Sequence, residues 1–580
     1  MSDSESPKPK KKSVGFAEAP IEDLQQHHKI LRQKEEEKKK SSSFHKIPPE
    51  LAYLEKKNLG QGPKQISPKP PSVPSFNRTK LSDLPDLKNL KYFDVKDISV
   101  QNKETELQFH YSQIDLPPAA DSVIVDVKYG SLNSLDLAKI NQYLLNLSNV
   151  KVGLGYEFSG VVNYVGANMS SKFSIGDFVV GAIDPSARRG ALSTCQLVHP
   201  GRDVLIKVDE ETLNQLNNID IELKFNVNEQ FEIDSDEESR ELEQQLLQQQ
   251  NKPKKGTFPV ENTIPPLGKI STFPVLYNRA KQLLQYLSAG TNRANILING
   301  ADTTVGLTLI QVLLSEYQFS SMNLLCVIRE SSSKYMEQAV NYFSKKYYDP
   351  SADKQLTLIP FDIVNDDLIF PGEKVPIVYK KPNYFAIEII DALLNNDHGS
   401  IDTSNINDYK LDSIIDLIGC KKYFQETSIK LHEIETLNLP FKSKMNASLE
   451  SLFGKEKEPF LVKILKPKKF GSSLVSGCNF NIEKPSYNIN ELSAVTTEIL
   501  NPWSSKWSSN LFNNWTTYNY YDEIQLKIKQ EWCNQGLELL LANQLKFKID
   551  HYIDWRNDYK QYVNQLKLND GKVVFKVEDF

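Results

Sequence analysis

The sequence predicts a two-part α/β fold, in which an all-β unit precedes a doubly wound parallel sheet. In the first part, glycines separate short β-rich runs such as Gly155–Val162 and Gly176–Gly181, a pattern typical of strands joined by tight turns. In the second part, buried-type strands such as Leu324–Ile328 and Asp412–Gly419 alternate with helical patterns. This alternation indicates βαβ units. Residues 296–310 add an apolar strand, a glycine turn and the start of an apolar helix.

Individual elements follow from local pattern. Val123–Tyr129 is β-branched with partial alternation, which predicts a strand. Tyr277–Leu287 has a helical pattern and leads into the strand before the glycine turn. Ser472–Ser476 is predicted as a further buried strand, and Gly571–Phe575 is a β-rich run close to the C-terminus. The strands therefore extend over both parts of the chain.

Composition limits the function classes. The chain has 580 residues, enough for two or more domains, and a formal net charge of −5, which favours no nucleic-acid partner. Its five cysteines include no CxxC pair, which indicates reduced thiols in a cytoplasmic setting. No run of about 18 apolar residues appears, so the sequence predicts neither secretion nor a membrane span.

Two segments are predicted to be solvated. Residues 1–90 mix Lys, Glu, Ser and Pro with few apolar side chains, so burial cannot offset the entropy of ordering, and a disordered tail is expected. Residues 209–268 include the acidic stretch Glu229–Glu243 and a Gln-rich run, which predicts an inserted loop. In that loop Ser235 precedes three acidic residues, as acid-directed kinases require. In the tail, Lys12–Phe16 resembles the docking motif for type-one protein phosphatases.

The glycine turn at residues 300–306 is the candidate binding element. A helix N-terminus with closely approaching backbone amides is suited to a pyrophosphate, and Gly300 and Gly306 allow such a turn. Thr303 and Thr304 stand where side chains would crowd the phosphates. The same segment thus argues for a nucleotide-binding fold and against a fully working one.

A zinc site is not expected. Catalytic zinc needs about three converging Cys, His or carboxylate ligands, and a structural site needs four. The sequence shows no set of zinc ligands around Cys195, and four closely spaced cysteines are absent. The sequence therefore predicts a metal-free protein.

Six motifs in order resemble the medium-chain dehydrogenases/reductases, closest to the zinc-free quinone- and enoyl-reductase branch. They are Gly155–Val162, Gly176–Gly181, Gly190-Ala191, Ile298–Gly306, Ile415–Gly419 and Gly571–Val574. The resemblance implies a GroES-like β domain over 91–208 and a Rossmann nucleotide domain over 269–540. It also implies a C-terminal return to the first domain over 541–580. Tyr156 stands where zinc-dependent relatives have histidine.

The resemblance also implies site residues. Asn133 and Asp136 match the segment that flanks the nicotinamide, and Tyr143 would be a proton donor, although an ordinary phenol pKa near 10 needs tuning. The alternative makes Asn133 a hydrogen-bonding residue at a turn or strand end. In that alternative, Tyr143 is a half-buried helix residue.

The cofactor implied is NADP(H), and its candidate binding residues fall into two groups. Those around the pyrophosphate are Gly300, Thr303, Thr304, Val305 and Gly306. Those following the second strand, where NADP-preferring relatives hold the 2′-phosphate, are Ser331, Ser332, Lys334 and Tyr335. Hydroxyls and a cation suit a dianion, but serines at such a turn also serve as helix caps.

Two further residues occupy positions at which relatives usually offer Gly and Thr near the nicotinamide. Tyr277 adds a large side chain beside the expected cofactor path. Arg279 either contacts a phosphate, blocks the groove or pairs with an acidic neighbour. Both departures weaken the expectation of tight dinucleotide binding.

The resemblance extends to the fungal ATPase-stabilising proteins, a reductase-like branch that associates peripherally with membranes. It implies an adaptor, weak or inactive as an enzyme, that supports targeting of the plasma-membrane proton ATPase to the cell surface. The alternative is an NADPH-dependent oxidoreductase of quinones or enones. A cytoplasmic protein is expected, and the resemblance to the ATPase-stabilising proteins adds peripheral membrane association. Family relatives often dimerise by extending the nucleotide-domain sheet, so a homodimer is a further expectation.

Overall fold

The structure is a computed structural model, and the residues that it describes lie within Phe76–Phe580. The described residues are 91–101, 106–146, 151–225, 257–287, 293–361, 381–395, 403–419, 424, 431, 435, 448–455, 458–478, 487 and 517–577. The predicted tail, the phosphatase motif Lys12–Phe16 and Ser235 lie outside these residues, and so does the stretch Glu229–Glu243.

Strands and helices alternate in the second half of the described chain. The strands are β1 Tyr92–Val100, β2 Gln108–Asp115, β3 Val123–Leu132, β4 Val152–Gly153, β5 Glu157–Val165, β6 Phe178–Ala182, β7 Cys195–Val198, β8 Val204–Val208, β9 Arg293–Asn299, β10 Ser321–Ile328, β11 Asp353–Pro360, β12 Ser413–Asp416, β13 Ser473–Ser476, β14 Asn519–Asp522, β15 Ile549–Asp554 and β16 Lys572–Lys576. The α-helices are α1 Ser134–Asn146, α2 Glu210–Asn217, α3 Pro266–Ile270, α4 Pro274–Leu284, α5 Thr304–Glu316, α6 Ser333–Lys346, α7 Lys381–Asn395, α8 Leu449–Phe453, α9 Phe460–Ile464, α10 Gln530–Leu541 and α11 Tyr559–Gln565. Short 3₁₀ helices are Ala167–Met169, Glu330–Ser332, Thr403–Tyr409, Lys468–Phe470 and Leu566–Leu568.

The first part is a β unit built of two sheets. A seven-stranded sheet has the order β15-β16-β3-β5-β6-β8, with β7 paired to β3, and a three-stranded sheet has the order β2-β1-β4. Strands β15 and β16 come from the C-terminal end of the chain, and β16 pairs antiparallel with β3. Its core is β-branched and aromatic, with Val125, Val127 and Phe158 fully buried.

The second part is a six-stranded sheet in which every neighbouring pair is parallel. Its order is β11-β10-β9-β12-β13-β14, so the strand order reverses between β9 and β12. In open parallel sheets of this kind, ligands bind outside the carboxyl ends of the strands at such a switch point. The fold class predicted from the sequence, a GroES-like β unit with a doubly wound parallel sheet, is confirmed.

The inserted loop predicted from residue 209 is wrong at both of its ends. Asp209 caps α2 by accepting a hydrogen bond from the backbone N–H of Thr212, and Leu216 of that helix is buried. After it, Glu222 forms a parallel β-bridge with Phe547. At the other end, α3 begins at Pro266, inside the predicted loop. The prediction was wrong because it rested on the acidic composition of the whole segment. Short apolar stretches at its ends pack against the C-terminal part of the chain.

One buried ion pair joins two strands of the seven-stranded sheet and contacts the second part through α4. Glu157 on β5 and Lys572 on β16 have fully buried side chains, and Lys572 Nζ lies 2.5 Å from Glu157 Oε1. The same oxygen accepts a hydrogen bond from the Ser131 hydroxyl at 2.6 Å. The other oxygen, Oε2, accepts from the backbone N–H of Val275 at 2.7 Å, in the first turn of α4. A carboxylate at a helix N-terminus is favourable, because it opposes the positive end of the helix dipole.

We expect Lys572→Met to lower the free energy of unfolding by about 3–5 kcal/mol, since it leaves the Glu157 carboxylate buried without its counter-ion. Urea denaturation followed by circular dichroism measures the change. The double variant Glu157→Gln with Lys572→Met should lose less than the single variant, because no uncompensated charge remains.

The matched control is Lys560→Met, which removes an exposed pair with Glu106. Its unfolding midpoint should equal that of the unmodified chain. If Lys572→Met behaves like this control, the buried pair does not hold β5, β16 and α4 together in the way described.

Candidate functional site

The glycine turn after β9 has the backbone of a dinucleotide-binding loop. Gly300 has a φ of +85°, a conformation that favours glycine, and its N–H donates to Val327 O at 3.1 Å. A Cβ added to Gly306 would lie 2.4 Å from Gly300 O, so only glycine permits this approach of α5 to the turn. The two glycines therefore serve the packing of strand, turn and helix.

The Thr303 hydroxyl hydrogen-bonds to both ends of the glycine turn. It is the N-cap of α5, and its hydroxyl accepts from the Gly306 N–H at 3.0 Å while donating to Gly300 O at 2.7 Å. Its side chain is fully buried. An N-terminal N–H that a phosphate could take is thus already satisfied by a side chain of the same turn.

Thr304 brings the C-terminal return onto the helix end. Its hydroxyl lies 3.4 Å from Asn569 Oδ1, and the hydroxyl of Ser134 donates to the same oxygen at 2.6 Å. Ser134 and Thr304 are the first residues of α1 and α5. The side-chain amide of Asn569, in the C-terminal return, therefore contacts the N-termini of both helices. Thr304 is only 3% exposed.

The other wall of the crevice follows β12. Asp416 Oδ1 accepts from Asn299 Nδ2 at 2.9 Å, which joins the carboxyl ends of the two strands at the switch point. Next along the chain, Leu417 and Ile418 face Gly300: a Cβ on that glycine would lie 3.3 Å and 3.0 Å from their side chains. Both are buried, so apolar side chains pack over the turn.

A dinucleotide in the usual position would place its pyrophosphate at the N-terminus of α5. In this structure the Thr303 and Thr304 side chains, Asn569 and the apolar residues after β12 fill that position. The residues present do not fit a pyrophosphate there.

Tyr277 and Arg279 point in different directions from α4. The Tyr277 hydroxyl donates to Glu316 at 2.5 Å, at the last residue of α5, so the expectation that it crowds the cofactor path is wrong. Arg279 is 1% exposed, and its Nη2 donates to Gly477 O at 2.9 Å, directly after β13. Its Nη1 donates to Gln282. Burial lowers the pKa of Arg279 to about 10. Of the two residues, only Arg279 approaches the carboxyl edge of the sheet.

Of the four residues predicted to hold a 2′-phosphate, two are exposed and two donate hydrogen bonds to other groups of the chain. Ser331 and Lys334 are exposed. The Ser332 hydroxyl donates to Asp302 Oδ2 at 2.7 Å, and the Tyr335 hydroxyl donates to Leu223 O at 3.0 Å. The structure does not bring them together around one point, and their role stays a prediction.

Sequence reasoning missed Arg329, the first residue after β10. Its Nε donates to Asp302 Oδ2 at 2.5 Å, and its Nη2 lies 3.3 Å from Asp570 Oδ1. Burial alone would lower the pKa of Arg329, but the Asp302 carboxylate raises it above its usual value. A cation after the second strand is where such folds meet a 2′-phosphate, so the position of Arg329 in the sequence was a usable signal. The sequence around Asn569 gave no sign of its role, because Asn569 contacts Ser134 and Thr304, which are distant from it in the sequence.

The residues predicted to flank a nicotinamide form a helix cap. Asn133 Oδ1 accepts from the Leu135 N–H at 2.9 Å, and Asp136 Oδ2 accepts from the Asn133 N–H at 2.7 Å. These two hydrogen bonds cap the start of α1 and resemble a capping box, in keeping with the alternative interpretation of Asn133 as a hydrogen-bonding residue at a strand end. Tyr143 lies in α1, and its side chain is outside the described part of the chain.

Asp136 is fully buried, and its charge interacts with that of Lys139, which is also buried. Burial raises its pKa to about 7, and the nearby Glu157 carboxylate acts in the same direction. Lys572 and Lys139 oppose that shift. Burial in turn lowers the pKa of Lys139 to about 7, against the charge of Asp136. Lys139 Nζ donates to Arg189 O at 2.5 Å and lies 4.7 Å from the ring centre of Tyr156.

Comparison with known proteins agrees with this architecture. Residues 119–214 match the model of the alcohol dehydrogenase GroES-like domain. Together with the parallel sheet, this match defines a protein like the medium-chain dehydrogenases/reductases.

The chain resembles the AST proteins of Saccharomyces cerevisiae. It is 29% identical to Protein AST2 over 150 residues, which is 26% of this chain and 34% of that protein. It is 28% identical to Protein AST1 over 160 residues, which is 27% of this chain and 35% of that protein. The matched region thus spans about a third of each relative.

Solved structures are also similar. The quinone oxidoreductase of Coxiella burnetii aligns with 84% of this chain and 100% of its own, with 13% identity and a TM-score of 0.43. A point mutant of Etr1p, in complex with NADP and crotonyl-CoA, aligns with 84% of this chain and 100% of its own, with 14% identity and a TM-score of 0.43.

Among the described residues, no helix is long and apolar enough to cross a membrane. The same residues contain no group of three His, Cys, Asp or Glu side chains arranged to hold a metal ion.

Asp136→Asn should stabilise the chain in a pH-dependent way. The folded-state pKa of about 7 lies above the ordinary value of 3.8, so the native state binds the extra proton and loses stability as pH rises from about 4 to about 7. The asparagine variant lacks this loss. Its advantage should therefore be small near pH 4 and reach a few kcal/mol above pH 7, since each pKa unit corresponds to about 1.4 kcal/mol.

Urea denaturation at pH 5 and pH 8 measures this difference. The control is Asp115→Asn, which makes the same substitution at an exposed position at the end of β2 and should show no trend with pH. A difference between Asp136→Asn and the unmodified chain that stays constant with pH would contradict the buried-carboxyl account.

Proposed function

We propose that this chain is a reductase-fold adaptor without reductase activity, which supports delivery of the plasma-membrane proton ATPase to the cell surface. The observation that carries the first half is the filled pyrophosphate position: Thr303 caps α5 from within, and Asn569 covers Thr304. A hydride-transferring enzyme of this fold depends on its cofactor for the chemistry. A fold that fills this position with its own side chains retains the scaffold and loses the reaction.

The second half of the proposal rests on the resemblance to the fungal ATPase-stabilising proteins and on the similarity to the yeast AST proteins. The filled crevice also supports the adaptor role. A protein of this fold that binds no cofactor can still bind partners through its surface and its added segments. Fold alone does not decide activity, and the argument therefore depends on the site.

The alternative function, an NADPH-dependent reductase of quinones or enones, has one feature in its favour. Asp136 and Lys139 both have a pKa of about 7, the range that proton transfer at neutral pH requires. Both side chains are buried, and Asp136 belongs to the cap of α1. Without access to substrate, these groups do not perform general acid–base catalysis.

A cell lacking this chain and its paralogues should carry less proton ATPase at its surface, and the unmodified chain should restore it. The variant Ser331→Ala with Lys334→Ala should restore it equally well, because both side chains are exposed and their predicted role is to hold the 2′-phosphate of NADPH. Quantitative imaging of the tagged ATPase, together with proton efflux, measures both.

Matched expression of the two chains is checked by immunoblot. Unchanged surface ATPase after removal of the chain and its paralogues would overturn the adaptor proposal. Rescue by the unmodified chain and failure of the double variant would instead support the reductase.

A further inference from the structure

A second filled site lies at the end of β10, beside the glycine turn. Its centre is Arg329, whose side chain is 13% exposed and whose guanidinium is surrounded by groups of this chain. Such a planar cation with several donors suits a phosphate or carboxylate, and its faces stack on aromatic rings. Both kinds of partner are present.

The anionic partner is Asp302, in the glycine turn. Its carboxylate is 1% exposed, and Oδ2 accepts from Arg329 Nε at 2.5 Å and from the Ser332 hydroxyl at 2.7 Å. A guanidinium and a hydroxyl that converge on one oxygen form an anion-binding arrangement. A second anion cannot enter while this carboxylate is charged, because like charges at contact distance repel strongly in a buried site.

The aromatic partner is Tyr487. Its ring is 4.6 Å from the guanidinium carbon of Arg329, and the residue is 5% exposed. The guanidinium lies over this ring, where it could otherwise meet a planar base. Arg329 thus holds a carboxylate and an aromatic ring at the same time.

We infer that Asp302 and Tyr487 are internal stand-ins for the phosphate and the base of a 2′-phosphorylated adenosine, and that Arg329 and Ser332 form a latent site for that ligand. The chain blocks this site with two of its own side chains. This inference is independent of the proposed function, because an adaptor works whether or not a blocked site can be reopened.

The test is a gain of binding in the variant Asp302→Ser with Tyr487→Ala. Calorimetry should show that adenosine 2′,5′-bisphosphate binds this variant at least about tenfold more tightly than it binds the unmodified chain. Adenosine 5′-monophosphate, which lacks the 2′-phosphate, should show no gain. Adding Arg329→Ala should abolish the gain.

Asp570→Ser is the matched control, because Asp570 also contacts Arg329 but is exposed and leaves Asp302 in place. It should not create binding. If the first variant fails to fold by circular dichroism, Asp302→Asn with Tyr487→Ala replaces it; the asparagine keeps the size of the aspartate and removes its charge, and the same gain is expected.

Three results would overturn the inference. One is a folded variant with no gain. Another is an equal gain for adenosine 5′-monophosphate or inorganic phosphate, which would indicate an unspecific anion site. The third is a gain that survives Arg329→Ala. None of them changes the expectation for ATPase delivery, so failure of this inference is distinguishable from failure of the proposed function.

Discussion

The buried pair of Glu157 and Lys572 is the constraint on which the rest of the structure depends. It fixes three elements at one point: β5 of the β unit, β16 of the C-terminal return and the first turn of α4. A buried ion pair is a costly way to gain stability, because desolvation offsets most of the attraction. We infer that its value is positional: a carboxylate whose oxygens are engaged by Lys572, Ser131 and Val275 accepts only one arrangement of the two parts.

That arrangement explains why the crevice is filled. Asn569 and Asp570 lie just before Lys572 in the sequence, so the ion pair that places β16 also places these two residues at the carboxyl edge of the parallel sheet. Asn569 then reaches the N-termini of α1 and α5, and Asp570 reaches Arg329. The threonines of the turn complete the closure from the other side. We infer that closure of the position expected for the cofactor is a property of the assembled fold.

Local pattern predicted the fold and part of the site. The apolar strand, Gly300 and Gly306 of the turn were readable because their roles depend on neighbours in sequence. The helix α2 was missed because acidic composition outweighed a few apolar residues that pack on distant segments. The direction of Tyr277 was mistaken because a family position does not specify which face of a helix is turned to the crevice. Asn569 could not be predicted, since its contacts join residues 265 and 435 positions apart.

The central claim is that this reductase fold has no room for its cofactor, and calorimetric titration of the full chain with NADPH tests it most directly. The filled position of the pyrophosphate predicts no heat of binding and no shift in melting temperature at NADPH concentrations up to about 1 mM. Saturable binding with a dissociation constant of about 1 μM would contradict it, because a ligand held that tightly could not share the N-terminus of α5 with Thr303 and Asn569.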